Sequence, residues 1–295
     1  FGKAFESFQQ AIVADPNDAV AHIGLADCYN MMGFWGNLPA TQAFPQAEAS
    51  ATTALSLDPT LAEAHAALAW ATLHHRYDRA DAEQGFLRSL ALNPASISTL
   101  QWWSLFLAQE GRFDEALVAM RRAYSLDPLN LHTNYNLGVV LMVGRRDDEA
   151  IAQFQRTIEL DPGYFMALSH LGFTYALKGL RAPAMAAQGE VNRLIPGAWS
   201  MTGVALLAAM FGERETALIT LERVKEAAQT AFVVPSSYAQ SYAYLRDNDQ
   251  AIAWLERAYV ERDPWLVWLK TNPCFDPIRD DPRFTDLVRR VGLTP

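Results

Sequence analysis

A turn dipeptide, Asn or Asp followed by Pro, returns about every 34 residues at Asn93-Pro94, Asp127-Pro128 and Asp161-Pro162, and Ile195-Pro196 keeps the step. No other feature of the chain limits its fold as tightly. Self-similarity at that period marks a repeat built from one helical hairpin, which cannot bury its apolar face alone and must stack on its neighbours. The expected class is all-α, an α-α solenoid, and the length of 295 residues then counts repeats rather than domains.

Within 131–164, Leu137-Gly138 and Leu141 fall in a first helix, Ala150, Phe154 and Thr157 in a second, and Pro162 closes it. Small Gly138 and Ala150 let the helices approach, while Leu137, Leu141 and Phe154 fill the space between them. This alternation resembles the tetratricopeptide repeat, which implies a right-handed superhelix of about seven hairpins with a C-terminal capping helix. The units expected are 62–96, 97–130, 131–164, 165–198, 199–231 and 232–264, with Trp103-Ser104 and Ala116, Leu171-Gly172 and Ala184, and Tyr238-Ala239 and Ala251 at matching positions. Residues 1–18 read as a half repeat lacking its first helix, as expected of a piece of a longer chain.

Besides that half repeat, two stretches depart from the period. Residues 19–61 form a repeat with an insertion near 34–42 that carries Phe34, Trp35 and Leu38; this loop either folds back over the N-terminal repeats or binds a partner. Residues 265–295 leave the phase and end in an amphipathic helix, with Asp281 as N-cap and Phe284, Leu287, Val288 and Val291 on one face. That segment either seals the solenoid or docks a partner. The helix from Trp199 to Phe211 is apolar nearly all round, so it is either buried on several sides or a docking surface, with a homodimer contact as one possibility.

Composition excludes several functions. The longest apolar runs, such as Val204 to Phe211, are too short to span a bilayer, so no membrane span is expected. A net charge of −9 argues against a nucleic-acid partner, since phosphate binding needs clustered Lys and Arg, and the Arg pairs at 121–122, 145–146 and 289–290 each sit beside acidic residues. Cys28 and Cys274 lie far apart, without zinc spacing or a disulfide framework, and with no secretion signal a cytoplasmic setting is expected. Neither a phosphate loop, a nucleophile elbow nor an HExxH is present, and the six histidines show no ligand spacing. No catalytic residue, cofactor or metal is therefore expected. Acidic residues ahead of each second helix (Asp78 and Asp81, Asp114-Glu115, Asp147-Asp148-Glu149, Glu213 and Glu215, Asp247 and Asp249) read as caps and dipole partners.

First helices of such a solenoid line its concave face. Counting along them gives a partner-binding groove of Asp27, Asn30, Glu63, Trp70, His74, Gln101, Gln109, His132, Tyr135, Met142, Ser169, Phe173, Gln240 and Tyr244. With almost no cations at those positions, a clamp for terminal carboxylates is not expected. The mixture of aromatic, Met and neutral polar groups suits a protein or peptide partner, an amphipathic helix or an extended apolar segment, with an apolar small molecule or lipid as the alternative.

Residues 19–29 (Ala-Val-Ala-His-Ile-Gly-Leu-Ala-Asp-Cys-Tyr), 111–117 (Gly-Arg-Phe-Asp-Glu-Ala-Leu) and 275–284 (Phe-Asp-Pro-Ile-Arg-Asp-Asp-Pro-Arg-Phe) resemble the C-terminal tetratricopeptide regions of bacterial signalling proteins that carry an adenylate cyclase, a Ser/Thr kinase or a winged-helix DNA-binding domain upstream. The resemblance covers nearly the whole chain and implies a sensory or interaction module.

Overall fold

The computed structural model describes residues 2–294, so Phe1 of the half repeat and Pro295 of the closing segment lie outside the described residues. A leading helix α1 (Gly2–Ala14) is followed by seven hairpins: α2 (Ala19–Phe34) with α3 (Ala40–Leu57), α4 (Ala62–Arg76) with α5 (Arg79–Leu92), α6 (Ile97–Gln109) with α7 (Phe113–Leu126), α8 (Leu131–Val143) with α9 (Asp147–Leu160), α10 (Phe165–Leu177) with α11 (Arg181–Leu194), α12 (Ala198–Met210) with α13 (Arg214–Ala227), and α14 (Pro235–Tyr244) with α15 (Asn248–Val260). Two short 3-10 helices, Pro264–Trp268 and Pro273–Ile278, lead to α16 (Pro282–Arg290), and no strand occurs among the described residues.

The recurring dipeptide has a local cause. Asp58, Asn93, Asp127 and Asp161 each stand at the end of a second helix, in the non-helical backbone that a following proline imposes. Their side-chain oxygens accept the N–H two residues on, at 2.8, 3.2, 3.2 and 2.9 Å. An Asx turn thus stops one helix, and Asp18, Ser96 or Asn130 caps the next. Within hairpins, the Phe154 ring fills the place a Cβ on Gly138 would occupy, 2.5 Å away, which is why that position carries glycine.

Acidic residues ahead of the second helices act in two ways. Asp78 and Asp247 are true N-caps. Glu115 and Glu149 are instead held by Arg112 and Arg146, at 2.7 and 2.6 Å, while Asp148 and Asp249 pair with Lys178 and Arg283 about one repeat further on, and Glu213 pairs with Arg181 about one repeat earlier. These exposed pairs contribute about 0–1 kcal/mol each and chiefly fix the stacking register.

The hairpins form two layers. Outer helices are amphipathic, and α9 buries only Ala150, Phe154 and Thr157. Inner helices are buried nearly all round; α8 buries Thr133, Asn134, Tyr135 and the whole run from Leu137 to Val143. Burial on both sides requires a second covering layer, and the C-terminal segment supplies it.

That segment does not stop at the last hairpin. It runs back across the C-terminal ends of the inner helices. Trp265 meets Phe34 at the end of α2, with ring centroids 5.1 Å apart. Thr271 and Lys270 lie against Gly111 after α6, Asp276 pairs with Arg145 after α8 at 2.7 Å, and the Pro273 and Pro277 carbonyls accept from Tyr244 and Arg246 at the end of α14, at 3.3 and 3.2 Å. Gly292 ends against the Tyr77 carbonyl after α4. Leu266, Val267, Leu269, Phe275, Ile278, Phe284, Leu287, Val288, Val291 and Leu293 are all buried in the same core as the inner helices.

The insertion completes the closure. Its residues lengthen α2 and α3 and leave a short loop in which Gly36 adopts φ +72°, with the Phe232 ring of the loop before α14 where a side chain would stand. Tyr77 stacks on Tyr259 at the end of α15 (5.9 Å), and the Arg262 guanidinium lies 4.6 Å from the Tyr77 ring. First and last hairpins therefore touch, and the superhelix is closed on itself.

Candidate functional site

Most of the expected groove is occupied by the chain itself. Trp70 and His74, 3% and 1% exposed, stack together inside a cluster of Phe34, Phe44, Trp102 and Trp265. Burial holds the His74 imidazole down to about 4, so it is neutral at pH 7, with Nδ1 2.9 Å from the Trp70 carbonyl. Asn30 is buried and donates to the Ala67 carbonyl at 3.0 Å, joining α2 to α4. Gln101 donates to Thr133, and Gln109 accepts from Arg79 at 3.4 Å; both are buried rungs between repeats. Tyr244 is engaged by the tail. An open concave groove is thus corrected to a covered one: the inner faces need a partner, and residues 264–293 are that partner.

Asp27 and Glu63 lie together near one end of the inner layer. Burial, reinforced by the charge of Glu63, pushes the Asp27 carboxyl up to about 7, and Glu63 stays exposed and accepts from Asn93 at 3.3 Å. His132 is exposed, 3.1 Å from the Tyr164 hydroxyl. In the insertion, Phe34 and Leu38 are half-buried, and Trp35 is 39% exposed.

Of the remaining five residues, Tyr135 is buried, and Met142, Ser169, Phe173 and Gln240 come together around a cavity of about 130 Å³ that the tail leaves unfilled. Its walls come from α8, α10, α11, α12 and α14, and its floor from Trp265, Asn272 and Cys274 of the tail. Trp199, 39% exposed, and Leu206 add apolar surface; Thr202, Gln188, Ser236 and Ser237 add neutral polar groups. No Asp, Glu, Lys or Arg lines it. His170 completes the wall, and burial lowers its imidazole to about 4. Its Nδ1 lies 3.1 Å from the Met166 carbonyl and 3.3 Å from the Tyr135 hydroxyl. Since a carbonyl can only accept, Nδ1 carries the proton and Nε2 keeps a free lone pair. Burial also pushes the Cys274 thiol up, so it presents an uncharged S–H.

Counting along first helices finds Met142, Ser169, Phe173 and Gln240 because they keep the repeat phase. It misses Trp265, Asn272 and Cys274, which lie outside the phase, and Ser236 and Ser237, which open α14 at the residues after Pro235. The helix carrying Trp199 is buried on several sides, through Ala198, Ser200 and Ala205 to Ala209, and is exposed at Trp199 itself.

Stacked hairpins with small residues at their crossings invite comparison with known repeats. Residues 107–171 match the tetratricopeptide repeat family. No curated protein matches the chain in sequence. Solved structures are similar in fold: a monomeric IFIT1 mutant with m7Gppp-AAAA is 16% identical with a TM-score of 0.69, covering 99% of this chain and 67% of that one. PilW, a widely conserved type IV pilus biogenesis factor, is 19% identical with a TM-score of 0.56, covering 70% of this chain and 95% of its own. Pseudomonas aeruginosa PilF is 23% identical with a TM-score of 0.50, covering 70% and 93%. At these identities the likeness is one of fold: a tetratricopeptide solenoid of helical hairpins. No described helix is long and apolar enough to cross a membrane.

Proposed function

We propose that this chain is a non-catalytic protein-binding scaffold, the regulatory module of a larger bacterial signalling protein, and that it engages an apolar segment of its partner at the cavity between α10, α12 and α14. The observation that carries this reading is the cavity: a stretch of the inner face with Met and aromatic anchors that the tail leaves unfilled. Its uncharged lining favours apolar contact over recognition of a terminal carboxylate or phosphate. The tetratricopeptide fold supports the reading, because its stacked hairpins present surfaces suited to peptides.

Binding by displacing the whole tail is the costlier route. Ten buried apolar side chains stabilise it by about 1.5–3 kcal/mol each as an upper estimate, whereas a micromolar peptide supplies only about 8 kcal/mol in all. The test is calorimetric titration of amphipathic and extended apolar peptides against the native chain and Phe173→Ala. A binding peptide whose affinity falls about tenfold in Phe173→Ala, a loss of about 1.4 kcal/mol, is the expected result. Peptides that bind equally well to both proteins would place the contact elsewhere and sink this reading.

A further inference from the structure

The cavity is more specific than a generic apolar hole. A dry cavity of about 150 Å³ holds one benzene ring, and this one measures about 130 Å³. Phe173, Trp199, Leu206 and Trp265 make it apolar on several sides. One polar feature stands out against those walls. His170 Nε2 is an acceptor that a half-buried, neutral imidazole keeps free at pH 7. Ser236, 1% exposed, has its N–H committed to Asp263 at 2.9 Å and its hydroxyl beside the same carboxylate, so it is turned into the protein. Polar atoms out of reach of bulk water are nearly always paired in folded proteins, so the free Nε2 lone pair on the cavity wall points to an occupant.

We propose that the cavity is a recognition site for a single uncharged aromatic ring bearing a hydrogen-bond donor, with phenol as the simplest example. The ring fills the apolar volume, and the hydroxyl donates to His170 Nε2. A ring without the donor leaves that lone pair unpaired, and a charged ring meets no counter-charge on any wall. The same chemistry is presented by a free phenolic molecule and by a tyrosine side chain of a peptide. The proposal rests on the scaffold reading only in taking this cavity as the place of contact.

The test titrates phenol, benzene, benzoate and anilinium into the full chain, following tryptophan fluorescence and thermal midpoint, with N-acetyltyrosinamide and Tyr-bearing or Phe-bearing apolar peptides as further arms. Phenol is expected to bind at least tenfold more tightly than benzene, and benzoate and anilinium not measurably. His170→Phe, which keeps the ring and removes the acceptor, should abolish the phenol preference while leaving benzene binding within twofold. Leu206→Phe should fill the cavity and abolish binding without lowering the midpoint. A tyrosine peptide that outbinds free phenol identifies the side chain as the source; the reverse identifies a small molecule, and both support the site. Equal affinity for phenol and benzene, binding of benzoate as tight as phenol, or no saturable binding of phenol, benzene or N-acetyltyrosinamide overturns the proposal. Apolar peptides still lost on Phe173→Ala in that last case would leave the scaffold reading standing.

Discussion

Left-handed residues follow the same ruler as the Asp-Pro turns. At the turn between first and second helices, Gly111, Gly179 and Gly212 have positive φ, as the lack of a Cβ permits, but Tyr77, Arg145 and Arg246 occupy the equivalent positions with φ of 57–62°. Each of those three side chains makes a closure contact: Tyr77 to Tyr259 and Arg262, Arg145 to Asp276, Arg246 to the Pro277 carbonyl. Backbone strain of about 1–2 kcal/mol per position is tolerated where the side chain makes a closure contact. Arg145→Gly is expected to leave stability within about 0.5 kcal/mol, strain relief offsetting a half-exposed ion pair, while Arg145→Ala loses about 1 kcal/mol. Tyr77→Gly, removing a buried ring, should cost about 3 kcal/mol despite the same relief. Urea unfolding midpoints check all three, and a Tyr77→Gly protein as stable as the native one would remove the closure argument.

Asp27 gives the residue scale a pH signature. Its folded pKa of about 7 lies above the unfolded value, so the folded state binds the extra proton between roughly pH 4 and 7. Stability from this group is present below the unfolded pKa and is lost as pH rises through 7. Asp27→Asn should therefore flatten the pH dependence of the thermal midpoint over that window and raise stability at pH 8 by up to about 4 kcal/mol. A native midpoint that rises from pH 5 to 8, unchanged in slope by the substitution, would show that Asp27 titrates normally.

Among elements, the hairpins were legible in the sequence and the tail's path was not. Leu137, Gly138, Ala150 and Phe154 keep a phase that any neighbour can satisfy, so their pattern alone identifies the contact between helices. Leu266, Val267, Leu269 and Phe275 are equally apolar whether they seal an end or lie across a mouth, because both environments bury them. The distinguishing signals are single residues: Arg145 and Arg246 where the turn favours glycine, and Asp263, which ties the two ends of the path together. Its carboxylate accepts from Ser236 N and Trp265 N, both at 2.9 Å, holding the start of α14 to the start of the tail. Asp263→Ala leaves two buried donors unpaired and should cost about 2–4 kcal/mol. It should also increase binding of a hydrophobic dye, since the Trp265 floor of the cavity loosens; unchanged dye binding with unchanged stability would mean that the tail is held by its apolar contacts alone. The same reasoning accounts for the candidate site: residues in phase were visible, and the half contributed by the tail was not.

For the whole molecule, closure changes how the array should unfold. In an open solenoid the terminal repeats have one neighbour and fray first. Here α2 and α3 meet the loop before α14 through Gly36 and Phe232, and α4 meets α15 through Tyr77 and Tyr259. Amide exchange should therefore show α2 and α14 protected to within about 1 kcal/mol of α8, where an open array would grade from centre to ends.

A tail that must reach from α15 past the ends of α14, α8, α6 and α4 spans a fixed distance, and a first hairpin that must touch the last one requires a fixed number of turns between them. Open arrays can gain or lose a unit by duplication and remain folded, so their length drifts freely. This chain has no such freedom: one unit more and the ends part, one fewer and they collide. The architecture is divisible in sequence and indivisible in space, which makes repeat number itself a property under structural constraint.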